Sequence, residues 1–295
     1  MLSSVLLGLT AVHCLIHPPQ SPRPRRFFDD ERVLVVAHRG GMRLGPEHTI
    51  WTFQRAVALG VDVIEMDLRE AGDGSLVVIH DETVDRTTDG RGKVAALTLN
   101  ELAALDAGHG WSADGGRTFP LRGKGMKIPR LEEVFASFPR TPFVLEIKEL
   151  GSRAAAAVCE TIRRLDAAER VLVAAFRSAP LAAFRSACPE VATAATVREV
   201  QRVWLLQRLF LPALYRPPAD AFLIPERFGG LGVLDAAFVK RARDHDMPVH
   251  VWTVNEPADV ERLAALGVRG FITDDPERVL AALGRSRPVA AGANQ

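Results

Sequence analysis

The chain has 295 residues, of which 47% are hydrophobic and 25% are charged, and its formal net charge is +1. This composition is typical of a globular protein, and the length suffices for one large α/β barrel or two ordinary domains. The near-zero net charge excludes a global field that would draw the chain to nucleic acid or to an acidic membrane.

The first 30 residues are predicted to be an extension outside the folded domain. Residues 1–16 are apolar, but they lack a basic start and are short for a membrane span. The proline- and arginine-rich run at 22–26 is typical of a linker. We expect either a dispensable extension on a cytoplasmic protein or, alternatively, a cleaved signal or anchor on a secreted or membrane-associated one.

From residue 31 onward, short apolar runs alternate with amphipathic stretches. The runs predict strands near 33–38, 61–67, 143–148, 171–176, 191–196, 220–224, 248–254 and 268–273. The amphipathic stretches predict helices near 49–59, 130–138, 152–166, 179–187, 198–209, 233–245, 257–266 and 276–283. Eight strands, each followed by a helix, predict an α/β fold, a TIM (β/α)₈ barrel over residues 31–283, with a loose tail at 284–295.

The spacing between the second and third strands is uneven. About 75 residues separate them, which is too many for a plain βα connection. We therefore expect a small inserted subdomain at about 68–130 that lies over the catalytic mouth.

Three cysteines, Cys14, Cys159 and Cys188, show no metal-type spacing. An odd number in helical, alanine-rich contexts suggests neither a disulfide framework nor a zinc site. We expect small core residues and a reducing compartment.

Charged residues fall where buried strands should remain apolar. Glu65 and Asp67 lie on one face of their strand, and Glu146 and Lys148 share a face of theirs. Each pair alone could be an ion pair. Together, however, several carboxylates near a barrel core would repel one another without a cation, and hard carboxylates suit a divalent one. Histidines and cationic side chains at neighbouring strand ends suit acid–base chemistry on a phosphate. The pattern predicts a metal-assisted phosphodiesterase.

The order of short motifs strongly resembles the glycerophosphodiester phosphodiesterase family from about residue 33 to residue 283. The matching stretches are AHRGG at 37–41, PEHT at 46–49, GVDVIEMD at 60–67, VVIHD at 77–81, DRTT at 85–88, IPRLEEV at 128–134, LEIK at 145–148, VWTVN at 251–255 and GVRGFITDDP at 267–276. The resemblance implies a TIM barrel with an inserted subdomain.

The resemblance also implies roles for residues of this chain. It implies one divalent cation, Mg²⁺ or Ca²⁺, held by Glu65, Asp67 and Glu146. It implies acid–base catalysis by His38 and His80, with Arg39 and Lys148 near the phosphate and Trp252 lining the pocket. Glu47 is expected to support the site from nearby.

Two points of mechanism stay open at this stage. We expect His38 to act as the base and His80 as the acid, but the sequence does not order them, nor does it choose between water and a glycerol hydroxyl as nucleophile. His48 stands where the family has Asn. It is expected to keep a hydrogen-bonding role, with a position facing the metal as the alternative.

The resemblance implies a small-molecule phosphodiester substrate, cleaved to glycerol 3-phosphate and an alcohol. Lysophospholipase D activity on lysophospholipids is the alternative, because the apolar segment at 203–215 could form a lip for an acyl chain or touch a membrane peripherally. A catalytically silent binding barrel is a third possibility. No basic stripe with interleaved aromatic residues indicates nucleic acid. The alcohol released and the oligomeric state are not determined by the sequence.

Overall fold

A computed structural model describes residues 32–148 and 152–285. The predicted extension at 1–30 and the tail beyond residue 285 lie outside the described residues. The strands are β1 Leu34–Ala37, β2 Val63–Glu70, β3 Leu76–Val78, β4 Phe143–Ile147, β5 Val171–Ala174, β6 Ala192–Thr193, β7 Phe222–Pro225, β8 Arg227–Phe228, β9 Leu231–Gly232, β10 Val249–Trp252 and β11 Gly270–Thr273. The α-helices are α1 Ile50–Leu59, α2 Leu99–Ala104, α3 Leu131–Ser137, α4 Ser152–Arg164, α5 Ser178–Ala187, α6 Val197–Arg208, α7 Ala236–Asp244, α8 Pro257–Ala265 and α9 Pro276–Ala282.

Eight parallel strands form a closed ring in the order β6, β5, β4, β2, β1, β11, β10, β7. A parallel bridge between Ala194 and Ala221 joins the two ends of this order. Ala195 N donates to Ala221 O at 2.8 Å, and Asp220 N donates to Thr193 O at 2.8 Å. Because both faces of such strands are covered, their sequences are continuous apolar runs, as in the LVVA of β1. The predicted TIM barrel and its eight strands are confirmed.

The insertion between β2 and β4 is confirmed and has a small core of its own. Its strand β3 pairs antiparallel with the far end of β2, and Val77, Val84, Val94 and Leu102 pack together in a separate buried cluster. Trp111 Nε1 donates to Met42 O at 2.9 Å, which fastens the insertion to the loop after β1. The insertion therefore lies at the carboxyl end of the barrel strands. The short hairpin of β8 and β9 was not predicted.

The expectation of unpaired cysteines was wrong for two of the three. Cys159 on α4 and Cys188 at the end of α5 form a disulfide with a Cα–Cα distance of 5.6 Å. The two helices pack side by side on the outside of the barrel, which brings together residues 29 positions apart. Sequence spacing does not reveal such helix packing. The disulfide removes the cysteine argument for a reducing compartment, since disulfides persist in oxidising ones. Cys14 lies outside the described residues.

Within the described ranges, no helix combines the length and the apolar character that crossing a membrane requires.

Arg285, which follows α9, closes the base of the barrel. Its guanidinium donates to both carboxylate oxygens of Asp62, at 2.8 and 2.7 Å, and Asp62 also accepts from Val35 N at 2.7 Å. The Asp62 side chain is 10% exposed. A charged pair with several hydrogen bonds and little solvent contributes more than a surface pair.

We predict that Arg285→Ala lowers the free energy of unfolding by roughly 2 kcal/mol, because it removes both guanidinium hydrogen bonds of the Asp62 carboxylate and leaves only Arg32, 3.7 Å away, as a cationic partner. The matched control is Arg278→Ala, which removes another two-bond Arg–carboxylate pair, with Glu256, whose side chain is 60% exposed. The control should cost less than about 1 kcal/mol. Urea unfolding of both variants measures the difference, and equal losses would contradict this account of Asp62.

Candidate active site

Three carboxylates converge at the carboxyl ends of β2 and β4. The register places Asp67 directly beside Glu146 on the neighbouring strand, and Glu65 lies two residues earlier on the same face of β2. One carboxylate oxygen from each of the three lies within 4.8 Å of the others. Glu65 and Asp67 are buried, at 4% and 1% exposure. The structure thus brings together the three carboxylates that the sequence analysis grouped.

Two cationic side chains and one histidine contact Asp67 within this cluster. Lys148 Nζ lies 2.8 Å from Asp67 Oδ1 and 2.6 Å from Glu146 Oε1. His48 Nε2 is 2.8 Å from Asp67 Oδ2, and Arg39 Nε is 3.6 Å from the same oxygen. Although burial opposes ionisation, the hydrogen bond from His48 and the charge of Lys148 hold the pKa of Asp67 well below its usual range.

Glu65 shows the opposite behaviour. Its one hydrogen bond of note comes from the backbone N of Arg39, at 2.7 Å. Burial, together with the negative charges of Asp67 and Glu146, raises the pKa of Glu65 to about 8. Burial and Asp67 also raise the pKa of Glu146. The cluster therefore holds more negative charge than its protein partners balance.

The turn after β1 presents Arg39 to the cluster. Arg39 adopts a left-handed φ of 53°, and Gly40 follows with a φ of 87°. A Cβ at Gly40 would lie 2.5 Å from Phe53 of α1, so only glycine fits there. This tight turn directs the backbone N–H of Arg39 at Glu65. The Arg39 side chain extends to Glu47, where Nη1 of Arg39 donates to Oε1 of Glu47 at 3.0 Å.

His38 is held by an aspartate from the other end of the chain. Because β1 pairs with β11, Asp274 follows β11 beside His38, and His38 Nδ1 is 2.7 Å from Asp274 Oδ1. Asn255, after β10, fixes this aspartate: its Oδ1 accepts from Asp274 N at 2.9 Å, and its Nδ2 lies 3.4 Å from Asp274 Oδ2. This contact uses Nδ1 and leaves the Nε2 atom of His38 available to a molecule in the cavity.

His80 has a similar partner, supplied by the insertion. His80 Nδ1 is 2.6 Å from Asp81 Oδ1, and Arg86 Nε donates to the other oxygen of Asp81 at 2.6 Å. Arg86 also donates to both oxygens of Glu47, at 2.7 and 2.8 Å. These ion pairs lower the pKa of Asp81 and that of Glu47 to about 2, although burial opposes both shifts. A continuous network thus runs from His80 to Arg39.

The two histidines differ in pKa. Burial alone disfavours the imidazolium of His38, but the hydrogen bond to Asp274 and the charge of Glu65 raise its pKa above the usual value. For His80, burial and the charges of Arg39 and Lys148 lower the pKa, and Asp81 offsets only part of this. The pair therefore combines a histidine that favours the protonated form with one that favours the neutral form.

A cavity of about 600 Å³ opens over these residues. Its polar floor contains seven of the eight predicted site residues: His38, Arg39, Glu65, His80, Glu146, Lys148 and Trp252. The eighth, Asp67, lies buried directly beneath. Phe176, after β5, packs edge-on against Trp252 at 5.8 Å between ring centroids. The remaining wall is apolar and comes from β5 to β7, α6 and the β8–β9 hairpin.

Sequence reasoning missed several residues that complete the site. Asp81 adjoins His80 in sequence, so its partnership could have been proposed from that adjacency. Asp274 and Asn255 lie in the family-matching stretches at 267–276 and 251–255, but their contacts with each other and with His38 depend on barrel closure. Arg86 lies in the family-matching stretch at 85–88, but its contacts with Asp81 and Glu47 could not be read from it, and Phe176 carried no sequence signal.

A model of the glycerophosphoryl diester phosphodiesterase family matches residues 38–278. The chain belongs to this family. A glycerophosphodiester phosphodiesterase of Caldanaerobacter subterraneus is 34% identical over 255 residues, which cover 84% of this chain and 97% of that protein. A lysophospholipase D of Mus musculus is 28% identical and covers 89% of this chain and 83% of its own length.

Solved structures of the family agree with the barrel. A phosphodiesterase of Oleispira antarctica, solved in complex with the product sn-glycerol-3-phosphate, superimposes with a TM-score of 0.71 at 25% identity, covering 85% of this chain and 96% of that one. The family prediction made from the motifs is confirmed.

His48 gives the phosphodiesterase a testable departure from the family motif. Its φ of 61° is left-handed, a region that Asn tolerates well and Ala does not. We predict that His48→Asn changes the free energy of unfolding by less than about 1 kcal/mol, because Asn can still donate to Asp67. His48→Ala should cost roughly 2 kcal/mol or more.

Urea unfolding in the presence of chelator measures both His48 variants without interference from bound metal. If both variants lost equal stability, the hydrogen bond to Asp67 would not be the role of this side chain.

Proposed function

We propose that this phosphodiesterase hydrolyses glycerophosphodiesters to glycerol 3-phosphate and an alcohol, with one divalent cation and two catalytic histidines. The observation that carries the proposal is the convergence of Glu65, Asp67 and Glu146 at the floor of one cavity and directly beneath it, near two histidines that each contact an aspartate. The family membership and the product-bound relative from Oleispira antarctica support the choice of substrate.

The donor set fits a hard divalent cation, Mg²⁺ or Ca²⁺. All three groups are carboxylates, the ligands that such cations prefer. Burial and repulsion from Asp67 raise the pKa values of Glu65 and Glu146, which supports a site where a cation would favour the ionised carboxylates. Glu65, Asp67 and Glu146 would hold the ion. When bound, it would neutralise charge on the phosphate and the attacking or leaving oxygen.

Arg39 and Lys148 are the cations available to the phosphate. Both line the cavity, and each is anchored at its inner side by the carboxylate cluster. Trp252 offers an apolar ring beside them, on which the glycerol carbons can pack. Charge-assisted hydrogen bonds of this kind orient a phosphodiester for in-line attack.

The different surroundings of the histidines favour an order of proton transfers opposite to the one expected from sequence. Asp81 shares its charge with Arg86, so it stabilises a protonated His80 only weakly. Asp274 shares its charge with the neutral Asn255, so it stabilises a protonated His38 more strongly. We propose that His80 accepts the proton of the nucleophile, water or the glycerol hydroxyl, and that His38 protonates the leaving alkoxide.

We predict that His38→Ala and His80→Ala each reduce turnover of glycerophosphocholine by about 10² or more. A substrate that releases nitrophenolate needs no proton on its leaving group. On glycerophospho-nitrophenol, therefore, His38→Ala should recover most of its activity, whereas His80→Ala should not. Wild-type turnover should fall at low pH as His80 is protonated and at high pH as His38 loses its proton.

Rescue of His80→Ala instead of His38→Ala would restore the order expected from sequence. Near-normal turnover of glycerophosphocholine by both variants would remove the histidines from the mechanism. Thermal unfolding of both variants serves as the control for correct folding.

A second candidate function is lysophospholipase D activity, and the apolar wall of the cavity favours it. Val200, Trp204 and Leu205 of α6 line the cavity together with Phe228 and Leu231 of the hairpin. A choline or ethanolamine group gains little from such a wall, whereas an acyl chain gains about 0.8 kcal/mol for each buried CH₂. Similarity to the lysophospholipase D of Mus musculus supports the same candidate.

We predict that chelator abolishes release of glycerol 3-phosphate from glycerophosphocholine and that Mg²⁺ or Ca²⁺ restores it. The same assay with lysophosphatidylcholine tests the second function. If the wall binds an acyl chain, Leu205→Ser should lower kcat/KM for the lysolipid by about tenfold and leave glycerophosphocholine unaffected. Leu214→Ser is the matched control, since Leu214 is 45% exposed and lies away from the cavity lining.

Each outcome of this comparison has a separate meaning. Chelator-resistant hydrolysis would contradict the metal proposal. Equal effects of Leu205→Ser on both substrates would remove the acyl-chain role of the wall. No hydrolysis of either substrate by a chain that binds the cation would indicate a catalytically silent binding barrel.

A further inference from the structure

Large hydrophobic side chains that are exposed concentrate in one region of the described chain. Nine such residues are exposed, and only Val57 on α1 lies elsewhere. The others are Phe176, Leu205, Leu209, Phe210, Leu211, Leu214, Phe228 and Leu231. We use the name apolar lip for Leu205, Leu209, Phe210 and Leu211 of α6 and its following turn, with Phe228 and Leu231 of the β8–β9 hairpin. A contiguous exposed apolar patch of this kind marks an interaction surface.

The parts of the apolar lip are fastened to one another. Trp204 Nε1 donates to Gly232 O at 3.0 Å, which ties α6 to the hairpin. Leu209 N donates to Leu205 O at 3.1 Å, and Phe210 N donates to Gln207 O at 3.1 Å. The lip is therefore a continuous surface that extends from the cavity wall outward.

Phe210 is the most exposed member of the lip. Its side chain is 91% exposed. Its left-handed φ of 57° belongs to the end of α6, where Leu211 N donates to Leu206 O at 2.8 Å across it, as is common at helix C-termini. This helix end presents the Phe210 ring to solvent with little packing against the described chain, and a partner into which the ring inserts would account for the exposure.

The charge around the apolar lip indicates the kind of partner. Residues 200–219 contain Arg202, Arg208 and Arg216 but no Asp or Glu, and residues 227–234 contain Arg227 and no acidic residue. Of the acidic residues that border these ranges, Glu199 and Glu226 pair with Arg185 and Arg262 outside the lip, and Asp235 lies 3.7 Å from Arg208. Arg202, Arg216 and Arg227 therefore carry most of the positive charge near the lip. The Arg208 guanidinium lies 4.0 Å from the Trp204 ring centroid. Leucine and aromatic side chains surrounded by arginines match the interface of an anionic bilayer, where apolar groups enter the acyl boundary and cations meet lipid phosphates.

We propose that the apolar lip docks on the surface of a phospholipid bilayer that contains anionic lipids. Leu205, Phe228 and Leu231 belong both to the lip and to the cavity wall, so docking would open the cavity directly toward the lipid. The proposal goes beyond the proposed catalytic function, because binding to vesicles is measured without turnover.

The test uses the full chain and flotation with vesicles of phosphatidylcholine, alone or mixed with phosphatidylglycerol. Wild type should bind the mixed vesicles, and binding should weaken with salt because the arginine contribution is screened. The double variant Leu209→Ser, Phe210→Ser should bind at least about tenfold more weakly. Val57→Ser, which removes the exposed hydrophobic residue on α1, should bind like wild type.

The double variant should retain wild-type hydrolysis of glycerophosphocholine, because neither residue lines the cavity. Retained hydrolysis with lost binding separates a docking surface from the catalytic site and from misfolding. Failure of the proposed function would abolish hydrolysis in all variants and leave the binding comparison intact.

A second measurement locates the contact. Because the wild type already contains four tryptophans, the readout is the change from wild type. Phe210→Trp should add quenching by brominated acyl chains in the mixed vesicles, whereas Val57→Trp should add none. Equal vesicle binding by wild type and the Leu209→Ser, Phe210→Ser variant would overturn the proposal and point to another segment, such as residues 1–31. Absence of binding, or self-association that the double variant abolishes, would also overturn it.

Discussion

The buried carboxylate of Asp67 is the constraint on which the mouth of the barrel depends. A carboxylate that is 1% exposed is tolerated only when cations and donors surround it. Its partners Arg39 and His48 come from the loop after β1, and Lys148 comes from the end of β4. The contacts of this one carboxylate thus fix the loop after β1, strand β2 and the end of β4 relative to one another.

The same arrangement explains why residues two positions apart on β2 have opposite pKa shifts. Most of the available positive charge lies against Asp67, so the pKa of this residue falls, whereas Glu65 receives mainly a backbone N–H and its pKa rises. Glu146 shares Lys148 with Asp67 and also remains above its usual pKa. The resulting excess of negative charge faces the cavity, where a divalent cation would balance it.

The insertion supplies one of the two catalytic candidates. His80 and Asp81 follow β3, and Arg86 links Asp81 to Glu47 in the loop after β1. This link sets the position of His80 relative to the barrel, whereas His38 and Asp274 are positioned by closure of the barrel between β1 and β11. Two separate sets of contacts therefore position the two histidines: the Arg86 link positions His80, and the pairing of β1 with β11 positions His38. The electrostatic surroundings of the two histidines differ as a result.

The strands and the charged strand ends could be predicted because both are local features of sequence. An apolar run ending in Glu65 and Asp67 indicates a strand whose carboxyl end enters a barrel mouth. The partnership of His38 with Asp274 required the register between the first and last strands, which sequence does not contain. The Cys159–Cys188 disulfide likewise required the packing of two helices. The β8–β9 hairpin is too short to give a periodic signal.

The cavity joins two surfaces that act through different interactions: a polar floor acts through charge, and an apolar wall acts through the hydrophobic effect. Its floor, from β1, β2 and β4, is polar and holds fixed charges whose geometry allows little change. Its wall, from α6 and the β8–β9 hairpin, presents apolar side chains, and burial of an apolar group against them would be non-directional and proportional to the area covered. Substitutions such as Leu205→Ser change only the second surface. If the proposed function holds, the choice between a small alcohol and an acyl chain can therefore change without altering the residues proposed to act on the phosphate.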